Sequence, residues 1–178
     1  MSANLRPWFA AATPHEDIRK GRFDEAVFAA NLWAVVQGTG PNVYLDPEEF
    51  FEKTCITGGI TTLLTRVATA LRGDGDAGDR IISLQTSFGG GKTHSLIALW
   101  HLAKHSTKLK KSGAGGELRK ILGDRFLDKS CKVAVFTNAS CDATQGRKTP
   151  EGVHTHTLWG ELAVQLGVNR SSLREALK

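Results

Sequence analysis

Apolar residues recur along this chain at helical spacing in some stretches and as short continuous runs in others. Phe23, Val27, Phe28 and Leu32 predict a helix over residues 23–37, and Leu63, Leu64, Val67 and Leu71 predict another over 60–71. Between them Gly38-Thr39-Gly40-Pro41-Asn42 breaks the pattern. Asp46, Pro47 and Glu49 then mark a helix start, with a side-chain acceptor at the cap, a residue without an N–H at the first position and a glutamate placed for a capping box. Phe50 and Phe51 form its apolar side. Residues 96–105, 117–126 and 157–166 read as further helices, and Ser172 with Glu175 as the start of a last one. Upstream, Pro7, Trp8 and Phe9 predict an extended arm against the body, and Pro14 with Glu16-Asp17 opens a short polar helix.

Two runs depart from helical spacing. Ile81-Ile82-Ser83-Leu84 and residues 131–137, with Val133, Ala134, Val135 and Phe136 in succession, have the length and near-continuous apolarity of strands buried on both faces. The first leads into Gln85-Thr86-Ser87-Phe88-Gly89-Gly90-Gly91-Lys92-Thr93-His94 and then into the helix at 96–105. Strand, glycine-rich loop and helix in that order are the setting of a phosphate-binding loop. Glycines allow the backbone to approach a polyphosphate closely, and the helix start offers unpaired N–H groups and a positive dipole end. Ser87, Phe88, Gly89, Gly90, Gly91, Lys92, Thr93 and His94 are the nucleotide-contacting candidates. Among them Lys92 is placed for the β- and γ-phosphates and the Thr93 hydroxyl for Mg²⁺. The usual first glycine is replaced by Thr86; Gly89 and Gly90 can supply the unusual dihedrals from inside the loop.

The expected fold is therefore α/β: an incomplete P-loop NTPase (AAA-like) parallel sheet flanked by helices, preceded by a mainly helical segment. Residues 1–79 form that segment and 80–178 the N-terminal part of the NTPase domain. An aspartate ending an apolar strand, which such ATPases use in the Mg²⁺ shell, is missing, because Val133-Ala134-Val135-Phe136 runs into Thr137-Asn138. A chain of 178 residues reads accordingly as the front of a longer ATPase. Asn138, Asp142 and Arg147, on the loop over 138–152, can approach the nucleotide or its metal, or hold the loop together.

Other chemistry is weaker. The aspartates of 73–79 lack the spacing and terminal glutamate of a calcium loop and read as a solvated linker. His94, His101 and His105 share one helix face without the acidic partner of a metal motif, and read as partly exposed. Residues 106–116, with Lys108, Lys110 and Lys111 among glycines, read as an exposed excursion. The net charge of +5 is compatible with an acidic partner such as DNA without requiring one. Cys55, Cys131 and Cys141 form no close pair, no apolar run has the length of a membrane span, and no signal segment opens the chain. Those features predict a cytoplasmic protein.

Pro7-Trp8-Phe9, Pro14-His15-Glu16-Asp17-Ile18, Phe50-Phe51-Glu52-Lys53-Thr54, the loop from Gln85 to Leu96 and Thr157-Leu158-Trp159-Gly160-Glu161-Leu162-Ala163 carry a resemblance. Together they resemble the N-terminal part of large prokaryotic AAA-like P-loop ATPases named only as a domain of unknown function. These are encoded in phage-defence neighbourhoods and include relatives of the BREX ATPase. Their loop is similar in lacking the first glycine. The resemblance implies ATP and Mg²⁺ as cofactors, Lys92 and Thr93 in their usual roles, oligomers through AAA-like assembly, and DNA or DNA-modifying proteins as partners. Two other readings stand beside this ATPase: a nucleotide-gated interaction module without turnover, and, last, a small nucleotide kinase.

Overall fold

The computed structural model describes residues 7–14, 16–21, 29–73, 81–85, 89–112, 116–138, 140–142, 145–149 and 152–168. Two short helices, α1 (Trp8–Ala11) and α2 (Glu16–Arg19), precede α3 (Leu32–Gln37). Trp8 and Phe9 are exposed, so the arm is not laid into the body. Of the helix predicted over 23–37, α3 is the described part; residues 22–28 lie outside the described residues. Asn31 caps it by accepting from the Ala34 N–H, and Gly38 ends it in the left-handed conformation.

Next come α4 (Asn42–Leu45) and α5 (Pro47–Lys53). Asp46 caps α5 as its sequence predicts, accepting from the N–H groups of Glu48 and Glu49. The reciprocal half of the capping box does not form: Glu49 instead accepts from Asn42 Nδ2 at 2.8 Å and Lys53 Nζ at 2.9 Å. The next helix, α6 (Gly58–Arg72), starts two residues before its apolar stripe because Thr57 caps it through the Ile60 N–H.

The central element is α7 (Lys92–Lys111), packed against α3, α5 and α6. Ile97, Ala98, Leu102 and Leu109 are fully buried on it. It runs through residues predicted as an exposed excursion, because Leu109 joins the core and the Ser106 hydroxyl accepts from the Leu127 N–H at 2.7 Å. The helix bends at His105, whose φ is −121°. Helix α8 (Gly116–Leu122) and a 3₁₀ turn (Gly123–Arg125) follow. A hairpin of β1 (Arg147–Lys148) and β2 (His154–Thr155) then leads to α9 (Leu158–Gln165), capped by Thr157. The linker predicted at 73–79 and the last helix at Ser172 fall outside the described residues, save Gly73, which ends α6.

The expected parallel P-loop sheet is not present among the described residues. The protein is mostly helical, and the sheet among the described residues is the antiparallel β1–β2 pair. Residues 81–85 form neither helix nor a ladder with a described residue, and Ile81 is 87% exposed. Residues 131–136 are likewise outside any strand; the Val135 N–H and C=O bond instead to the side-chain amide of Gln165, both at 2.8 Å. An apolar run specifies burial but not a neighbour, and here helices and one carboxamide provide it. No helix among the described residues is long and apolar enough to cross a membrane.

Candidate functional site

The candidate site is the start of α7. Gly89 and Gly91 have φ of 79° and 73°, in the left-handed region that side chains disfavour. Gly91 is the N-cap and turns the chain directly into helix at Lys92. An added Cβ at either glycine would meet nothing within 4 Å. Glycine is therefore needed for its dihedrals rather than for room. The first intrahelical bond is from the Ser95 N–H to the Gly91 carbonyl at 2.9 Å, to which the Ser95 hydroxyl also donates. The amides of Lys92, Thr93 and His94 precede it, in the first turn at the positive dipole end.

Lys92 and Thr93 are half-buried. A primary ammonium, a hydroxyl and first-turn amides at one helix start fit a polyphosphate with its hard cation. Gly89 through His94 are thus brought together. Ser87 and Phe88, with Thr86, lie outside the described residues.

The His94 side chain has a further role that the sequence did not signal. Its Nε2 lies 2.9 Å from Thr54 Oγ1, whose one hydrogen is given to the Phe50 carbonyl at 2.6 Å. His94 therefore donates from Nε2–H, and Nδ1 is the bare nitrogen. The ring lies 4.6 Å from that of Phe50, and burial lowers its pKa. Residue 94 thus offers its amide at the helix start while its ring ties α7 to the end of α5. Far along α7, Ser106 holds Leu127, and Arg72 at the end of α6 donates to the carbonyls of Asp124 and Phe126. The later turns of α6 and α7 are thus both tied to residues 124–127.

His105 is partly exposed as predicted, whereas His101 is more enclosed. His101 is fully buried, and its Nε2–H donates to the Tyr44 carbonyl at 2.9 Å. Its Nδ1 is buried without a partner, and burial pushes its pKa down to about 4. Burial lowers that of His105 too. No group of three or more His, Cys, Asp or Glu suited to a metal occurs among the described residues.

Arg147 serves the interior of the protein. Its guanidinium donates twice to Glu161 Oε1, at 3.0 and 2.5 Å, and lies 5.4 Å from the Trp33 ring centroid. Thr155 and Gln165 also donate to the Glu161 carboxylate, which is fully buried. Burial pushes the Glu161 pKa up, but the bonds from Arg147, Gln165 and Thr155 outweigh it and hold the carboxyl below its usual range. Asp142 accepts from the Gln145 N–H at 2.7 Å, holding its own loop, and Asn138 is exposed.

In comparisons with known proteins, the family described as the DUF499 N-terminal domain matches residues 9–173. No curated protein and no solved structure matches the chain.

Proposed function

This chain belongs to the DUF499 N-terminal domain family, and from that premise we propose that it is an ATP-binding module working within a larger ATPase. The observation that carries the reading is the pair of left-handed glycines, Gly89 and Gly91, delivering Lys92 and Thr93 to the first turn of a 20-residue helix. First-turn amides and Lys92 take the phosphate oxygens, and Thr93 contributes one oxygen to Mg²⁺. Magnesium, when bound, offsets phosphate charge; this chain supplies the cradle and the orientation.

A second reading, nucleotide binding without turnover, is favoured by one feature. Residues 133–138 contain no acidic side chain to complete the metal shell. Coupling to DNA-directed or phage-defence work, and AAA-like assembly, rest on the family resemblance and suit the net charge of +5.

Titration calorimetry with Mg-ATP tests the proposal. Lys92→Ala is expected to weaken binding at least tenfold while leaving the circular dichroism unchanged. Equal affinity in the variant would reject the site. Phosphate release that is lost in Lys92→Ala would favour turnover over binding alone.

A further inference from the structure

We infer that His101 is a proton-operated latch, which holds α4 and α5 against the first turn of α7 while neutral and releases them when its Nδ1 takes a proton. Its effect on nucleotide rests on the site proposed above, whereas the latch itself can be observed without nucleotide. His101 has no exposed surface, and its Nε2 lies 2.9 Å from the Tyr44 carbonyl oxygen. A carbonyl only accepts, so Nε2 carries the hydrogen and the neutral ring leaves Nδ1 bare. That Nδ1 is buried, with no hydrogen-bond partner among the described residues. A proton there creates a charged N–H away from water with no acceptor. The ring is enclosed by Phe50, Phe51 and His105, at centroid distances of 5.1, 6.5 and 5.6 Å. Tyr44, Phe50 and Phe51 belong to α4 and α5, so the charge reaches water when those helices move off α7.

The ionisable groups around the ring do not offset its burial. Asp46, at the cap of α5, favours the proton, but it is paired with Lys108 at 2.9 Å; Lys108 and His105 on α7 oppose the proton. Glu48 also faces Lys108, Glu49 is held by Asn42 and Lys53, and Glu52 is exposed. The Tyr44 phenol is kept neutral by burial, and α3 has no ionisable side chain. On α6, Arg66 is exposed and Arg72 donates to the carbonyls of Asp124 and Phe126. Burial therefore prevails, in keeping with a His101 pKa pushed down to about 4.

The residues that enclose His101 also reach the candidate site. The Phe50 ring lies 4.6 Å from that of His94, and the Tyr44 ring meets His94 edge-on at 6.2 Å. Thr54, at the end of α5, bonds to His94 Nε2. Releasing α4 and α5 withdraws these contacts from residue 94 in the first turn. Proton and nucleotide then oppose each other: acid weakens Mg-ATP binding, and bound nucleotide makes His101 harder to protonate.

Native-state hydrogen exchange of the full chain, without nucleotide, tests the latch. Helices of four and seven residues do not persist unpacked. The amides of Asp46 and Phe50, bonded to the carbonyls of Asn42 and Asp46, therefore report the release. Corrected for intrinsic rates, their opening constant should rise roughly tenfold or more from pH 7.5 to pH 5, with a weaker urea dependence than global unfolding. His101→Gln keeps a donor for Tyr44 without titrating and should abolish the rise. No rise in the wild-type chain, exchange only through global unfolding, or an equal rise in His101→Gln would overturn the latch. Should that variant not fold, the wild-type chain at the two pH values decides. Calorimetry with Mg-ATP reads the coupling: weaker binding at pH 5.5 than at pH 7.5 in the wild type but not in His101→Gln supports it, and equal weakening in both overturns it. A chain that binds no Mg-ATP at pH 7.5 would reject the nucleotide site, and the exchange data would still decide the latch.

Discussion

At the scale of single residues, two buried ionisable groups, one neutral and one charged, make this fold sensitive to its surroundings. His101 is neutral in the folded protein because burial holds its pKa near 4, whereas in the unfolded chain it titrates near its ordinary value of about 6.5. Its folded pKa being the lower, the stability it confers is complete above pH 6.5 and is lost as pH falls toward 4. The window corresponds to roughly 3 kcal/mol. Urea unfolding at pH 7.5 and pH 5 should show the loss, and His101→Gln should flatten that dependence while lowering stability at neutral pH. Glu161 is charged and fully buried, so Arg147→Ala strands a carboxylate and should cost about 3–5 kcal/mol. The double variant Arg147→Met with Glu161→Leu should cost less than the sum of its two single changes, since it removes both charges. An additive double-mutant cycle would show that the pair is not coupled. None of this was legible beforehand. Nothing near Arg147 in the chain announces Glu161, so the guanidinium read either as able to approach the nucleotide or its metal or as holding its own loop.

At the scale of elements, the β1–β2 hairpin depends on one glycine. A Cβ at Gly146 would fall 2.0 Å from the Thr155 carbonyl oxygen, and its φ is +71°. Gly146→Ala should therefore destabilise the protein by at least about 2 kcal/mol, visible as a lowered urea midpoint and as lost amide protection at Arg147 and Thr155. Helices were largely readable from their own residues. Asp46 and Pro47 start α5 through local chemistry, and the stripe of Leu63 and Leu64 buries α6. Strands were not readable in the same way, because pairing is settled by distant partners. Residues 131–136 have the apolarity of a central strand, yet the Val135 backbone is met by Gln165, 30 positions on. The end of α7 was misjudged for a related reason: lysines at 108, 110 and 111 hide Leu109, which packs fully into the core. At the candidate site, the turn glycines and the Lys92-Thr93 pair were legible as local backbone chemistry. The ring of His94 was not, since Thr54 is 40 positions away.

At the scale of the whole molecule, α7 joins the candidate site to the core. Its first turn is tied to α5 by His94 and Thr54, its middle packs on α3 and α6, and its last turns hold the segment after α8 through Ser106. On the proposed reading, the first-turn amides form a cradle only when these helices are assembled. A ligand held there binds the folded state and not the unfolded chain, and so must raise stability by mass action. With free Mg-ATP at a hundred times its Kd the gain is about 2.7 kcal/mol. For a chain of this size that corresponds to roughly 5–10 °C in Tm. Differential scanning fluorimetry should show this shift growing with the logarithm of nucleotide concentration, and Lys92→Ala should abolish it. Thr54→Val distinguishes a tie from mere proximity. By releasing the His94 ring it should lower Tm without ligand and also shrink the nucleotide-induced shift, because part of the binding energy is then used to order the first turn. A full shift in Thr54→Val would mean that the cradle holds its shape without α5, and that the helical front of the chain stabilises the site only through packing.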